Sequence, residues 1–446
     1  VTGKSSAAPA KRSPLAALLN SLPPGTTSVI GGTVVLGAAS YVHLMAAGHS
    51  LDTKDMASVS VLWTILMSVG LGLFFPVEQE LTRIVAAERV EGHGIAGVVR
   101  RIAALATVLV ALLAVAMGVW GRQVADAFFN GRLDMVAALV VSFAAMAASN
   151  VTRGVLAGLG RFGPYGLQLG IDGGLRIGLA VVLALAGVRS PLAFALILAV
   201  APVVSVLATL RPVLQGVDRG PEPRWRTLLS GLGPLVVSTL LSQIVVNAAV
   251  VSTKLLAPED AALTAGLLNA IVLARVPLFV FGSLQASLLS GLSTAAAAGD
   301  RTGFTRLLAK TCLVVTTLGV AGGVPATILG PWLIRVLFGA QDVLGRVDFL
   351  WMSVGTLSYM LAMVLGQALM VIHRHRLQLL CWAFATLVLI GTTLLPGAVA
   401  TRVCLAYTLG SLAAVVSMAV AVRLAFPRTS RTEGGEASRP TLVDSA

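Results

Sequence analysis

Asp172 and Arg176 stand four residues apart inside an apolar stretch. On a helix that spacing puts both on one face, acid before base, the order that favours an intrahelical pair. Each costs roughly 2.5 to 3.5 kcal/mol near the centre of a membrane helix, whereas each Leu, Ile, Val or Phe returns only about 0.3 to 0.6 kcal/mol. The stretch holds about ten such apolar residues, so the sum is unfavourable and the charges need each other, neighbouring helices or water. Two readings stand: a pair facing a substrate cavity, and a structural ion pair buried against another helix.

Arg275 is a second costly residue. It has no acid within one turn and precedes Pro277 by two positions, and that proline frees the carbonyl of Leu273 and permits a kink. A guanidinium there can hold a phosphate or carboxylate through two parallel hydrogen bonds; the other reading is an arginine that snorkels to an interface. Thr239, Gln243, Asn247 and Lys254, spaced four, four and seven, share a helix face that suits either a water-filled cavity or hydrogen bonding between packed helices. Thr33, Gly37 and Tyr41 form a comparable face near the N-terminus. Arg153 and Arg161 flank the end of one apolar stretch, as a substrate contact or as interfacial anchors.

Classes of chemistry drop out for want of residues. The five histidines form no metal-ligand set, and His373 and His375, two apart, point to different helix faces. There is no Gly-x-x-x-x-Gly-Lys loop and no Ser/His/Asp arrangement, so neither an ATP-driven pump nor a hydrolase is supported. No metal and no cofactor is expected, and the chain is read as not an enzyme. Cys312, Cys381 and Cys404 fall within apolar stretches and read as small apolar residues.

The elements that must position these residues are membrane helices. The chain is 57% hydrophobic and 11% charged, with a mean hydropathy of +0.91. Apolar stretches recur at roughly 28–49, 56–76, 98–120, 135–157, 165–187, 190–211, 229–252, 262–290, 306–328, 347–370, 377–396 and 402–425. Each is close to the ~20 residues a helix needs to cross ~30 Å of hydrocarbon. The expected fold class is all-α, a polytopic membrane protein of about 12 transmembrane helices.

The net charge of +13 would suggest nucleic acid in a soluble protein, but here Lys and Arg gather in alternate gaps, about 22 against 8. The positive-inside rule explains that bias, and no nucleic-acid partner is expected. It orients both termini to the cytoplasm. The expected organisation is a disordered N-terminal tail over 1–27, a six-helix bundle over 28–215, a cytoplasmic linker over 216–228, a second bundle over 229–426 and a disordered tail over 427–446. The first helix reads as an uncleaved signal anchor.

Sliding the chain on itself by about 206 residues brings Phe75-Pro76-Val77-Glu78-Gln79 onto Phe281-Gly282-Ser283-Leu284-Gln285, Thr33 onto Thr239 and Arg100 onto Arg306. A slip of about four residues then aligns Leu167-Gln168-Leu169 with Leu377-Gln378-Leu379. Two six-helix units in tandem have the same membrane orientation, so the bundles should be pseudo-symmetric about the membrane normal, with the substrate path between them. In the fifth span, Gly166, Gly170, Gly174 and Gly178 recur every four residues and suggest a packing ridge, out of phase with Asp172 and Arg176.

Leu273-Ala274-Arg275-Val276-Pro277-Leu278, followed by Gln285, Ala298-Gly299-Asp300 and Phe304, resembles a signature of bacterial polysaccharide flippases. So do Glu80-Leu81-Thr82-Arg83 with Gly92 and Arg100, and Gly158-Leu159-Gly160-Arg161-Phe162-Gly163 with Arg176. The resemblance is to the O-antigen and capsular type, in the superfamily that includes multidrug and toxin extrusion (MATE) proteins. It implies two six-helix bundles around a cationic cavity that move an undecaprenyl-pyrophosphate-linked oligosaccharide by alternating access. It also implies membrane lipids, envelope glycosyltransferases or a polymerase as partners. The alternatives are a cation-coupled multidrug exporter of the same fold and a non-transporting scaffold for envelope assembly. Neither the first nor the seventh span has the acidic residue that cation-coupled exporters of the superfamily typically place there.

Overall fold

The computed structural model describes residues 25–220, 222, 225–256, 276–338 and 344–425, and among them the regular structure is all helical, with no strand. The rods are α1 (Thr26–Ser50), α2, α3 (Ala96–Phe128), α4 (Leu133–Gly158), α5 (Phe162–Leu185) and α6 (Pro191–Leu214). They continue with α7 (Trp225–Leu256), α8 (Val276–Ala297), α9 (Arg301–Phe338), α10 (Arg346–Val371), α11 (His375–Thr393) and α12 (Val399–Ala425). Here α2 is one rod in three parts: Thr53–Ile65, a π-helical turn at Leu66–Gly70, and Leu71–Val90. Among the described residues ten helices are long and apolar enough to cross a membrane, and α7 adds the shorter apolar run Gly231–Asn247. The sequence positions 1–24, 257–275 and 426–446, with Arg275 among them, lie outside the described residues.

Helix pairing repeats between the halves. In the first, α1 packs on α5, α2 and α3 on α4, α4 on α6 and α5 on α6; in the second, α7 packs on α11, α8 and α9 on α10, α10 on α12 and α11 on α12. There are two apolar cores, one around Phe74, Phe143 and Phe194, which also takes in Leu228, Leu232 and Ala286 of the second half, the other around Phe281, Phe304 and Trp382. Between them α2 meets α7 and α8, and α1 meets α8. The segment joining the halves is strapped to α3: Glu222 accepts two hydrogen bonds from Arg101, at 3.0 and 2.7 Å, and pairs with Arg100. The Arg101 guanidinium also lies 5.1 Å over the Trp225 ring.

Several helices outrun the apolar stretches that announce them. The stretch 56–76 continues as helix to Val90, 98–120 becomes Ala96–Phe128, and 306–328 becomes Arg301–Phe338. Hydropathy fades at the first charged residues, but a helix continues wherever those charges are satisfied. In α2, Glu80 and Arg83 pair at 2.7 Å within one turn. The end of the molecule where α2, α4, α8 and α10 finish is the one rich in Lys and Arg, here called the basic end.

The glycine ridge proposed for α5 is corrected by the packing. Among the described residues, a Cβ on Gly170, Gly174 or Gly178 would meet nothing within 4 Å, whereas on Gly166 it would sit 2.3 Å from the Ser28 backbone and on Gly173 2.7 Å from that of Leu36. The face that touches α1 therefore runs through Gly166, Leu169 and Gly173, its glycines seven positions apart rather than four. Gly32 reciprocates, since its Cβ would lie 2.3 Å from the Gly166 carbonyl oxygen. Small residues on both helices set the α1–α5 distance by backbone contact.

Candidate functional site

A cavity of about 350 Å³ opens between the bundles. Helices α1, α2, α4, α5 and α6 line it from one side and α7, α8 and α10 from the other. Its first wall includes Thr33, Leu36, Gly37, Phe75, Glu78, Arg153, Tyr165, Asp172 and Arg176; its second includes Thr239, Ser242, Gln243, Phe281, Gly282, Gln285, Tyr359 and Met363. Two backbone irregularities border it. The π-turn residues Leu66 and Met67 line the cavity, and so do Leu198 and Pro202 in α6, where the proline leaves the Leu198 carbonyl without its helical donor.

The repeat gives the two walls a common plan. Thr33, Leu36, Gly37 and Phe75 correspond to Thr239, Ser242, Gln243 and Phe281 at the shift of about 206, and all eight line the cavity. Charge breaks that plan. At the same shift Glu78 corresponds to Leu284, and at the slipped register Arg153 corresponds to Met363, Asp172 to Trp382 and Arg176 to Thr386. Among the described lining residues, every carboxylate and every guanidinium belongs to the first bundle.

Those charges are arranged in two pairs. Arg176 grips Asp172 with Nε at 2.8 Å and Nη2 at 3.2 Å, along one helix face, and both are nearly buried. Arg153 donates from Nε to Glu78 Oε2 at 3.1 Å, and the Tyr165 hydroxyl donates to Glu78 Oε1 at 2.7 Å. The second pair bridges α4 and α2, which approach closely because Gly154 and Gly158 face Glu78, Leu81 and Val85 without a side chain of their own. Thr82 adds hydrogen bonds to the carbonyls of Glu78 at 2.8 Å and Gly154 at 3.3 Å. Gln168 ties α5 to α4 through Thr152 Oγ1 at 2.9 Å. Such geometry is what buried ions require, since desolvation of each costs several kcal/mol unless attraction and hydrogen bonds offset it.

Of the residues singled out from sequence, Asp172, Arg176, Arg153, Thr239 and Gln243 come together at this cavity. Thr239 is buried and bonds back to the Leu235 carbonyl at 2.9 Å. Asn247 donates to the Gln243 carbonyl at 2.8 Å and does not line the cavity. Tyr41, 43% exposed, also lies off the lining. Arg275 and the Lys254 side chain are outside the described residues. The cationic cavity expected from the resemblance is corrected among the described residues: Arg153 and Arg176 are balanced by Glu78 and Asp172. Sequence reasoning missed Glu78 and Tyr165 because it ended the second span at Pro76 and began the fifth at Tyr165. The signal was present in the repeat, where an acid stands against Leu284 within matching Phe and Gln residues.

A second constellation closes the basic end. Arg83 holds Glu80 with Nε at 2.8 Å and Nη2 at 2.7 Å, and its Nη1 lies 3.3 Å from Nε2 of His373, in the turn between α10 and α11. His375 stands beside His373, ring centroids 6.2 Å apart. Gly231 in α7 admits the Glu80 carboxylate, for a Cβ there would be 2.9 Å from Glu80 Oε1.

Solved structures place this architecture. The chain has the fold of MATE transporters, shared with three structures at 14–15% identity. A Vibrio cholerae MATE transporter mutant superposes with a TM-score of 0.74 at 15% identity, over 90% of this chain and 95% of that one. An outward-facing multidrug resistance MATE family transporter of the MOP superfamily gives 0.73 at 15% identity, over 90% and 94%. A MOP superfamily transporter from Pyrococcus furiosus, described as having a binding pocket of reverse polarity, gives 0.74 at 14% identity, over 91% and 96%.

No family model matches the chain. Its relatives by sequence include an uncharacterized Mycobacterium tuberculosis protein, 26% identical over 407 residues that cover 86% of this chain and 89% of that protein. An uncharacterized Mycobacterium bovis protein is 23% identical over 410 residues, covering 88% and 90%.

Proposed function

We propose that this chain is an alternating-access transporter that moves an anionic, undecaprenyl-pyrophosphate-linked oligosaccharide across the cytoplasmic membrane. The observation that carries the reading is the pair of buried arginines, Arg153 and Arg176, facing one cavity between two bundles. Arginine cannot discharge by losing a proton, so each needs a counter-ion at every stage of a cycle. Glu78 and Asp172 serve when the cavity is empty, and a pyrophosphate offers the same planar pairing when it enters. The opposite wall suits sugar hydroxyls: Thr239, Ser242, Gln243 and Gln285 are polar and uncharged, and the buried Gln285 Nε2 has no hydrogen-bond partner among the described residues. The resemblance to polysaccharide flippases supports the same class, with the chain acting as a carrier and not as an enzyme.

A second reading, export of a cationic amphiphile, draws on Glu78 and Asp172 in the same cavity. Proteoliposomes containing the full chain separate the two. Flipping of a fluorescent undecaprenyl-pyrophosphate disaccharide is expected, and Arg176→Gln is expected to lower its rate about tenfold or more, as loss of a charge-assisted hydrogen bond predicts. Transport of a cationic dye instead, with the lipid-linked sugar left unmoved, would establish the second reading and overturn the first.

A further inference from the structure

We infer that His373 is a proton-binding site at which the two bundles are latched across the basic end, and that protonation there releases the latch. The inference goes beyond the proposed substrate and rests only on alternating access between the bundles.

The chemistry of the contact fixes the protonation state. Arg83 has only donors, and two of its nitrogens are already committed to Glu80. Its Nη1 therefore donates to His373, and Nε2 of His373 must present a lone pair. The imidazole is neutral, with its proton on Nδ1. A proton on Nε2 removes the acceptor and sets a second cation 3.3 Å from the guanidinium. Glu80 offsets only part of that repulsion, since both of its oxygens are already held by Arg83.

The groups around the latch can be named from every side. Helix α2 contributes Glu80, Arg83 and Glu91, the start of α9 contributes Asp300 and Arg301, and α11 contributes His375. Arg83, Glu91, Asp300, Arg301 and His373 surround a cavity of about 450 Å³. His373 is itself exposed, so a proton reaches it from that side. Its backbone is held at φ 59°, a conformation uncommon for a side-chain-bearing residue, which fixes the ring at the end of α10. Burial of the ring's inner edge and the Arg83 charge hold its pKa below the ordinary histidine value, with Glu80 opposing.

The sign follows from linkage. A site whose pKa is lower latched than released favours the latch at high pH. Between the two pKa values the released-to-latched ratio rises up to tenfold for each unit of acidification.

The test uses the full chain in lipid nanodiscs, its three cysteines replaced by serine and spin labels placed at Val90→Cys on α2 and Arg376→Cys on α11. Double electron-electron resonance from pH 8 to pH 5 is expected to show a long-distance population growing as pH falls. His373→Gln, which keeps an acceptor and cannot titrate, is expected to abolish the pH response, and His373→Arg to give the long-distance population at every pH. A distribution constant with pH overturns the inference. So does a response that persists in His373→Gln, or one removed only by His375→Gln. No substrate enters the measurement, so its failure leaves the transport reading untouched.

Discussion

The hydroxyl of Tyr165, on α5, donates to Glu78 Oε1, on α2, at 2.7 Å. The other oxygen of the carboxylate is held by Arg153 on α4, so a single buried side chain joins three helices of one bundle. At the matching positions the second bundle has Leu284, at the shift of about 206, and Met363 and His375, at the slipped register, and the knot is absent there.

Removing one ion from such a pair strands the other. Glu78→Gln is expected to destabilise the protein by about 3 to 5 kcal/mol because Arg153 cannot lose its charge, and Tyr165→Phe by about 1 to 3 kcal/mol. The double change Glu78→Gln/Arg153→Gln is expected to recover much of the first loss. Thermal unfolding in one detergent at one pH measures all three. Strictly additive losses in the double variant would show that the two side chains are not coupled.

The contact face of α5 makes a contrast between adjacent glycines. Gly173→Ala places a methyl 2.7 Å from the Leu36 backbone, which cannot move aside without shifting α1, whereas Gly174→Ala enters open space. The first is expected to cost at least about 2 kcal/mol through overpacking. The second is expected to be neutral or to stabilise the helix by up to about 1 kcal/mol. Equal melting temperatures for the two variants would mean that α1 and α5 are farther apart than described.

The sequence made the helices legible because membrane spans announce themselves by length and hydropathy, and the repeat made the pairing of bundles legible because shifted motifs share an offset. Asp172 and Arg176 were legible because a charge in a span has a cost that must be explained. Glu78 was not, since it follows Pro76 at the end of an apolar run and looks like a loop residue; only the continuation of α2 to Val90 puts it in a cavity. The glycine spacing misled for a related reason: periodicity locates a face but not its neighbour, and Gly170, Gly174 and Gly178 turn away from α1. The meeting of Arg83 and His373 lies beyond reach of either argument, being 290 residues apart in the chain.

Orientation is the remaining expectation that a direct measurement decides. About 22 Lys and Arg in one set of gaps between the spans against 8 in the other would put the basic end in the cytoplasm, where the cost of translocating Lys and Arg is avoided. Single cysteines can report it, in a background whose native Cys312, Cys381 and Cys404 are replaced by serine. Ser50 closes α1 at the end opposite the basic one, and Arg189 lies exposed in the α5–α6 turn at that same end. Ala298 and Arg376 are exposed at the basic end. In intact cells an impermeant maleimide is expected to label Ser50→Cys and Arg189→Cys, and to label Ala298→Cys and Arg376→Cys only after the membrane is permeabilised. The reverse pattern would invert the molecule, placing the His373 contact outside the cell and the first and last helix ends with it.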